Sequence, residues 1–78
     1  MKNLILYTKP ECHLCDEMKV DIKALKEEFK FNLEEVNIEN DPVLFEKYKV
    51  KIPVLIFEGR IIAKYSIDKT KILKILSQ

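Results

Sequence analysis

Seventy-eight residues suffice for one domain, 1–78, and its 14 basic and 13 acidic side chains are mixed along the chain, for a net charge of +1. This balance excludes the clustered basic excess of a nucleic-acid-binding surface. The sole glycine, Gly59, excludes a phosphate-binding glycine-rich loop, and no segment approaches the ~18 apolar residues of a membrane span.

With 47% of residues apolar and 35% charged, the composition suits a small soluble domain that must bury its core efficiently. The first apolar run, Leu4-Ile5-Leu6-Tyr7, is shorter than the ~7–15 residues of a secretory signal, so the cytoplasm is the expected location. Bounded by polar residues, that run reads as a buried strand. Pro10 lacks a backbone donor and breaks it. From Cys12 the apolar period becomes helical. Cys15, Met18, Ile22, Leu25 and Phe29 recur every three or four residues, with Lys19, Lys23, Glu27 and Lys30 on the other side. An amphipathic helix ending near Phe29 or Lys30 is predicted.

Phe31, Leu33, Val36 and Ile38 mark a second strand, over roughly residues 32–38. Asn40-Asp41-Pro42 starts a short helix, with a capping Asx residue and Pro at the first helical position. Val43, Leu44 and Tyr48 are expected to face the core, and Phe45 is a further candidate. A third strand covers Pro53 to Phe57. Glu58-Gly59 makes a tight turn, with Gly59 free to take positive φ. Arg60 to Tyr65 returns antiparallel to the third strand. Ser66 or Asp68 caps a last helix carrying Ile72, Leu73, Ile75 and Leu76.

The order is β-α-β-α-β-β-α. The first two strands, joined by a helix, should be parallel with a right-handed crossover, and the hairpin adds an antiparallel pair. The expected fold is α/β: a mixed four-stranded sheet with helices on both faces.

The chemistry sits at Cys12-His13-Leu14-Cys15. A C-x-x-C beside a strand–helix unit reads as a redox motif in a cytosolic protein, where disulfides are usually transient. Cys12 falls at the mouth of the first helix. Free N–H groups and the helix dipole favour a thiolate there, and such settings lower a cysteine pKa from about 8.5 to ~3.5–7.5. Lys9 and His13 add positive charge, while Glu11, Asp16 and Glu17 oppose it. Cys15, one turn on, shares the apolar stripe and should be partly buried. The i, i+3 spacing brings the two side chains within bridging range. Cys12 then attacks a substrate disulfide, and Cys15 resolves the mixed disulfide.

Other readings stay open. Both cysteines can be small core residues. A structural zinc site needs four ligands, and the motif offers two Cys and His13. A metal or iron–sulfur carrier would therefore use Cys12 across a dimer, with external thiols. A third reading is a non-catalytic interaction module. His13 either tunes the dithiol or is an exposed helix-start residue. Lys9 either attracts an anion or is a solvated loop lysine.

Tyr7-Thr8-Lys9-Pro10-Glu11-Cys12-His13-Leu14-Cys15 resembles the active-site entrance of glutaredoxins, and Val50-Lys51-Ile52-Pro53 resembles their later proline segment. The element order also matches the glutaredoxin core of the thioredoxin superfamily. The chain looks most like the short glutaredoxin-like proteins with a C-x-L-C centre. The resemblance implies that Pro53 is cis and packed opposite the dithiol, with the Ile52 backbone facing a passing thiol peptide. It places Lys9 near the glycyl carboxylate of glutathione. Two departures stand out. His13 replaces the usual proline, and Ile62-Ala63-Lys64-Tyr65-Ser66-Ile67-Asp68 lacks the Gly-Gly pair that cradles the γ-glutamyl end of glutathione. The expected protein is a monomeric oxidoreductase with no bound cofactor. Its substrate is a disulfide-bearing protein or small thiol, and its electron donor is a reductase or glutathione as co-substrate.

Overall fold

The computed structural model describes residues 2–77; Met1 and Gln78, the ends of the domain expected from sequence, lie outside them. The elements are β1 (Lys2–Thr8), α1 (His13–Glu28), β2 (Phe31–Asn37), a 3-10 turn (Ile38–Asn40), α2 (Pro42–Tyr48), β3 (Val54–Phe57), β4 (Arg60–Lys64) and α3 (Lys69–Leu76). The strands form one sheet in the order β2-β1-β3-β4. β1 runs parallel to β2, from Lys2 opposite Phe31 to Thr8 opposite Asn37. β3 is antiparallel to β1, with Leu4 opposite Phe57, and also to β4. The expected mixed sheet and element order are both present.

Strand alternation decides which helix covers which face. Leu4 and Leu6 of β1 and Leu55 of β3 point to one side, onto Met18, Ile22 and Leu25 of α1 and Ile72 and Leu76 of α3. Ile5 and Tyr7, with Val54 and Ile56, point to the other, where Ile38 and Tyr48 cover them. β1 lies between β2 and β3 and is covered on both faces, which is why its sequence is a continuous apolar run.

Several boundaries differ from the sequence expectation. β1 extends to Lys2 and Thr8, because its ladder with β2 uses backbone groups and continues past the apolar run. Ile38 leaves β2 to begin the 3-10 turn, where Asn37 Oδ1 accepts the Glu39 N–H at 2.9 Å. Asp41 caps α2 as expected, its Oδ1 accepting from Val43 N at 2.9 Å and Leu44 N at 3.3 Å. Val43, expected in the core, is 74% exposed. The inner side of this two-turn helix is formed instead by Leu44, Phe45 and Tyr48. Both Glu58 and Gly59 have positive φ, 52° and 77°, the signature of a type I′ hairpin turn. β4 stops at Lys64, because Tyr65 is left-handed with φ 66°. Asp68 caps α3, accepting from Lys71 N at 3.2 Å. Ser66 does not, since it lies two residues ahead of the cap position, in a tight turn where its N–H is held by the Lys64 carbonyl. Among the described residues, no helix is long and apolar enough to cross a membrane.

Candidate functional site

The first turn of a helix leaves backbone N–H groups without partners inside the helix. Ser, Thr, Asp or Asn usually supplies an acceptor there. In α1 a cysteine does. Cys12 is the N-cap, with extended backbone, and its Sγ accepts the Cys15 N–H at 3.2 Å. Its carbonyl accepts the Asp16 N–H at 3.1 Å. Glu11, with φ 58°, turns the chain from the β1 end into this cap. Cys12 is half-buried.

Cys15 lies one turn further in and is joined to Cys12 by a disulfide, with the Cα atoms 5.2 Å apart. Its exposure is 0%, so it is wholly buried where partial burial was expected. The reason is tertiary: Ile38, Tyr48, Ile52, Val54 and Ile56 close around it, with Tyr7, Leu44 and Phe45 at the margin. The rings of Tyr7 and Tyr48 stack at 4.7 Å between centroids. These neighbours carry no formal charge, so the surroundings of Cys15 are apolar apart from the bond to Cys12. One sulfur faces outward and the other is held behind it.

Ile52 and Pro53 come to this site from the loop after α2. The Ile52–Pro53 peptide bond is cis, as the resemblance implies. Both residues are buried, and Ile52 packs in the cluster that holds Cys12 and Cys15. The Ile52 N–H is held by the Tyr48 carbonyl at 3.2 Å, which ties the loop to the end of α2. On the other side, Tyr65 donates its N–H to the Pro53 carbonyl at 2.9 Å and its hydroxyl to the Val50 carbonyl at 3.0 Å.

The other two candidates, His13 and Lys9, lie outside this cluster. His13 is 86% exposed, and its Nε2 sits 3.1 Å from Glu17 Oε1, one turn along the helix. Lys9 is half-buried on the β2 side, beside Thr8, Pro10, Lys19, Glu35 and Asn37. Lys19 and Glu35 form an ion pair there at 2.7 Å. The structure thus brings Cys12, Cys15, Ile52 and Pro53 together, and adds Tyr65, which the sequence did not single out, on the Val50 and Pro53 carbonyls. The absence of glycine before α3 was the only signal that this loop is built differently. Among the described residues, no three His, Cys, Asp or Glu side chains converge as a metal site would need.

The model of the Glutaredoxin-like domain (DUF836) matches residues 3–77. The glutaredoxin-like protein YDR286C homolog of Dictyostelium discoideum is 37% identical over 76 residues, covering 90% of this chain and 70% of that protein. The solution structure of protein Ne2328 from Nitrosomonas europaea superposes with a TM-score of 0.86 at 31% identity, over 96% of this chain and 91% of that one. The oxidised mitochondrial thioredoxin 3 of Saccharomyces cerevisiae shares the fold, with a TM-score of 0.66 at 18% identity, over 97% of this chain and 76% of that one. The family model over residues 3–77 and the homologue agree, and the chain belongs to the glutaredoxin-like domain family.

Proposed function

We propose that this chain is a thiol–disulfide oxidoreductase that reduces disulfides of proteins or small thiols through Cys12 and Cys15. The observation that carries the reading is the asymmetry of the pair. Cys12 is half-exposed at a helix N-cap with a backbone N–H on its sulfur, and Cys15 is buried one turn behind it. In the reduced form that N–H and the helix N-terminus favour the Cys12 thiolate over the thiol. The thiolate attacks one sulfur of the substrate disulfide. A Cys12–substrate bond forms, and the other substrate sulfur leaves as a thiolate that takes a proton from water. Cys15, having lost its proton to solvent, then attacks the Cys12 sulfur. The Cys12–Cys15 bond forms and the second substrate thiolate leaves. Two electrons pass from the dithiol to the substrate, and no bound cofactor is needed.

Ile52 and Pro53 form the edge against which the substrate lies. With the Ile52 N–H already bonded to Tyr48, an extended substrate pairs through the Ile52 carbonyl. Lys9 acts at longer range, through its charge, and His13 lines the approach to Cys12 as its chain neighbour. The protein works as a monomer in the cytoplasm and is re-reduced by glutathione or by a reductase.

Equilibration in glutathione buffers of graded potential, followed by alkylation and intact-mass analysis, tests this. A single two-electron transition in which both cysteines change together is expected. Thiols that stay reduced across the whole range would refute the reading. A glutathione adduct on Cys12 would identify glutathione as a reaction partner. Cys12→Ser should abolish turnover; cellular function that survives this change would point to an interaction module instead.

A further inference from the structure

Among the described residues, three other than glycine have a left-handed backbone: Glu11, Glu58 and Tyr65. That region is unfavourable for any residue with a Cβ, and most of all for a bulky one. Glu58 belongs to the hairpin turn, whose type requires it. Glu11 delivers Cys12 to its cap. Tyr65 has neither role, and glycine or asparagine would adopt its conformation more easily. What it gains are two hydrogen bonds, from its N–H to the Pro53 carbonyl at 2.9 Å and from its hydroxyl to the Val50 carbonyl at 3.0 Å. These grip both ends of the stretch 50–53, and Tyr65 itself is 46% exposed. Inside the stretch is Ile52, packed against the dithiol. An unfavourable backbone maintained beside a reactive pair is a reason to look for function.

We propose that Tyr65 is a positioning residue that sets the substrate class of the dithiol, favouring an extended polypeptide disulfide over a small, charged peptide disulfide such as oxidised glutathione. The inference rests on the oxidoreductase reading above. Holding Val50 and Pro53 makes the 50–53 stretch a firm edge for a substrate chain. Two apolar side chains are offered by these segments: Leu14, inside the C-x-x-C, is 43% exposed, and Val50, whose carbonyl accepts the Tyr65 hydroxyl, is 75% exposed. A polypeptide with apolar residues around its cysteine gains contact there. A small peptide with charged ends must be held by polar donors instead. The loop ahead of α3 has already committed several. The Tyr65 N–H is on Pro53, the Ser66 N–H is on the Lys64 carbonyl at 2.7 Å, and the Lys71 N–H is on Asp68.

The test compares second-order rates of the reduced protein with insulin disulfides and with oxidised glutathione, for wild type, Tyr65→Phe and Tyr65→Gly. In each reaction two electrons leave the dithiol, one substrate disulfide becomes two thiols, and Cys12–Cys15 forms. Wild type should prefer insulin by tenfold or more. Tyr65→Phe removes only the hydroxyl bond and should lower that preference by roughly two- to tenfold, the net worth of one hydrogen bond. Tyr65→Gly opens the loop and frees the edge, and should lower it further, with glutathione reacting at least as fast as before. A preference within twofold of wild type in both variants would overturn the proposal, as would a wild-type preference for glutathione. Should Tyr65→Gly fail to fold, Tyr65→Phe decides alone. Wild-type protein that reduces neither substrate overturns the oxidoreductase reading and this inference with it. An active wild type with unaltered selectivity in the variants overturns only the inference.

Discussion

Serine at position 15 should arrest the exchange half-way. Cys12 keeps its cap position and its exposure, so the first attack on a substrate disulfide proceeds. The second step loses its nucleophile. In the native protein that nucleophile is one helical turn away, with the Cα atoms 5.2 Å apart and the pair already joined in the structure. Well-oriented intramolecular reactions reach effective molarities of ~10⁵–10⁸ M. Even if burial of Cys15 forfeits most of that advantage, resolution by 1 mM external thiol should be slower by ~10³-fold or more. The assay is to mix Cys15→Ser with a disulfide-bearing protein, quench with acid, and follow the mixed disulfide on Cys12 by intact mass. Serine also puts a hydroxyl in an apolar pocket bounded by Ile38, Tyr48, Ile52, Val54 and Ile56. Its burial costs about 1–3 kcal/mol, or about 4–8 °C of melting temperature per kcal/mol in a chain of this size. Cys15→Ala avoids that hydroxyl and should trap equally well. If neither variant accumulates a mixed disulfide while Cys12 remains alkylatable, the division of roles between the two sulfurs is wrong.

Three further outcomes follow from the fold. Leu55 is 0% exposed in β3, under α1 and α3, so Leu55→Ala should cost ~2–5 kcal/mol in urea unfolding. Against a total of roughly 4–12 kcal/mol for 78 residues that is a large share, and a loss below ~1 kcal/mol would contradict the packing described. Asp41→Ala removes the acceptor for Val43 N and Leu44 N and should cost ~0.5–2 kcal/mol. Because α2 ends in Tyr48, which holds the Ile52 N–H, the same variant should also speed amide exchange at Ile52, read by NMR. Glu58→Asn puts a residue tolerant of positive φ at the first turn position and should raise stability by up to ~1 kcal/mol, measured by thermal melting.

The element order, the parallel β1–β2 pair, the β3–β4 hairpin and the dithiol were legible from sequence because each leaves a local mark, whereas the antiparallel pairing of β1 with β3 was not. The period of Cys15, Met18, Ile22 and Leu25 defines α1. The break at Pro10 puts Cys12 at its start, and Asp41-Pro42 and Glu58-Gly59 punctuate the later elements. Those marks reflect backbone propensities and side-chain periods, which act within a few residues. The cis geometry of Pro53 followed only from the family resemblance, since proline permits both isomers.

The tertiary structure alone decided how far Cys15 is buried, because the residues that enclose it come from the 3-10 turn, α2, β3 and the loop between the last two. It turned Val43 outward, since which side of a two-turn helix meets the sheet depends on where the helix is docked. It paired His13 with Glu17 and set Lys9 beside Lys19, Glu35 and Asn37. It also gave Tyr65 a left-handed backbone that tyrosine disfavours, stabilised by carbonyls 15 and 12 residues earlier, at Val50 and Pro53. Local sequence determines which residues form helices and strands and where they stop. Which side chains then share one site is set by long-range packing, and no short stretch of the chain encodes it.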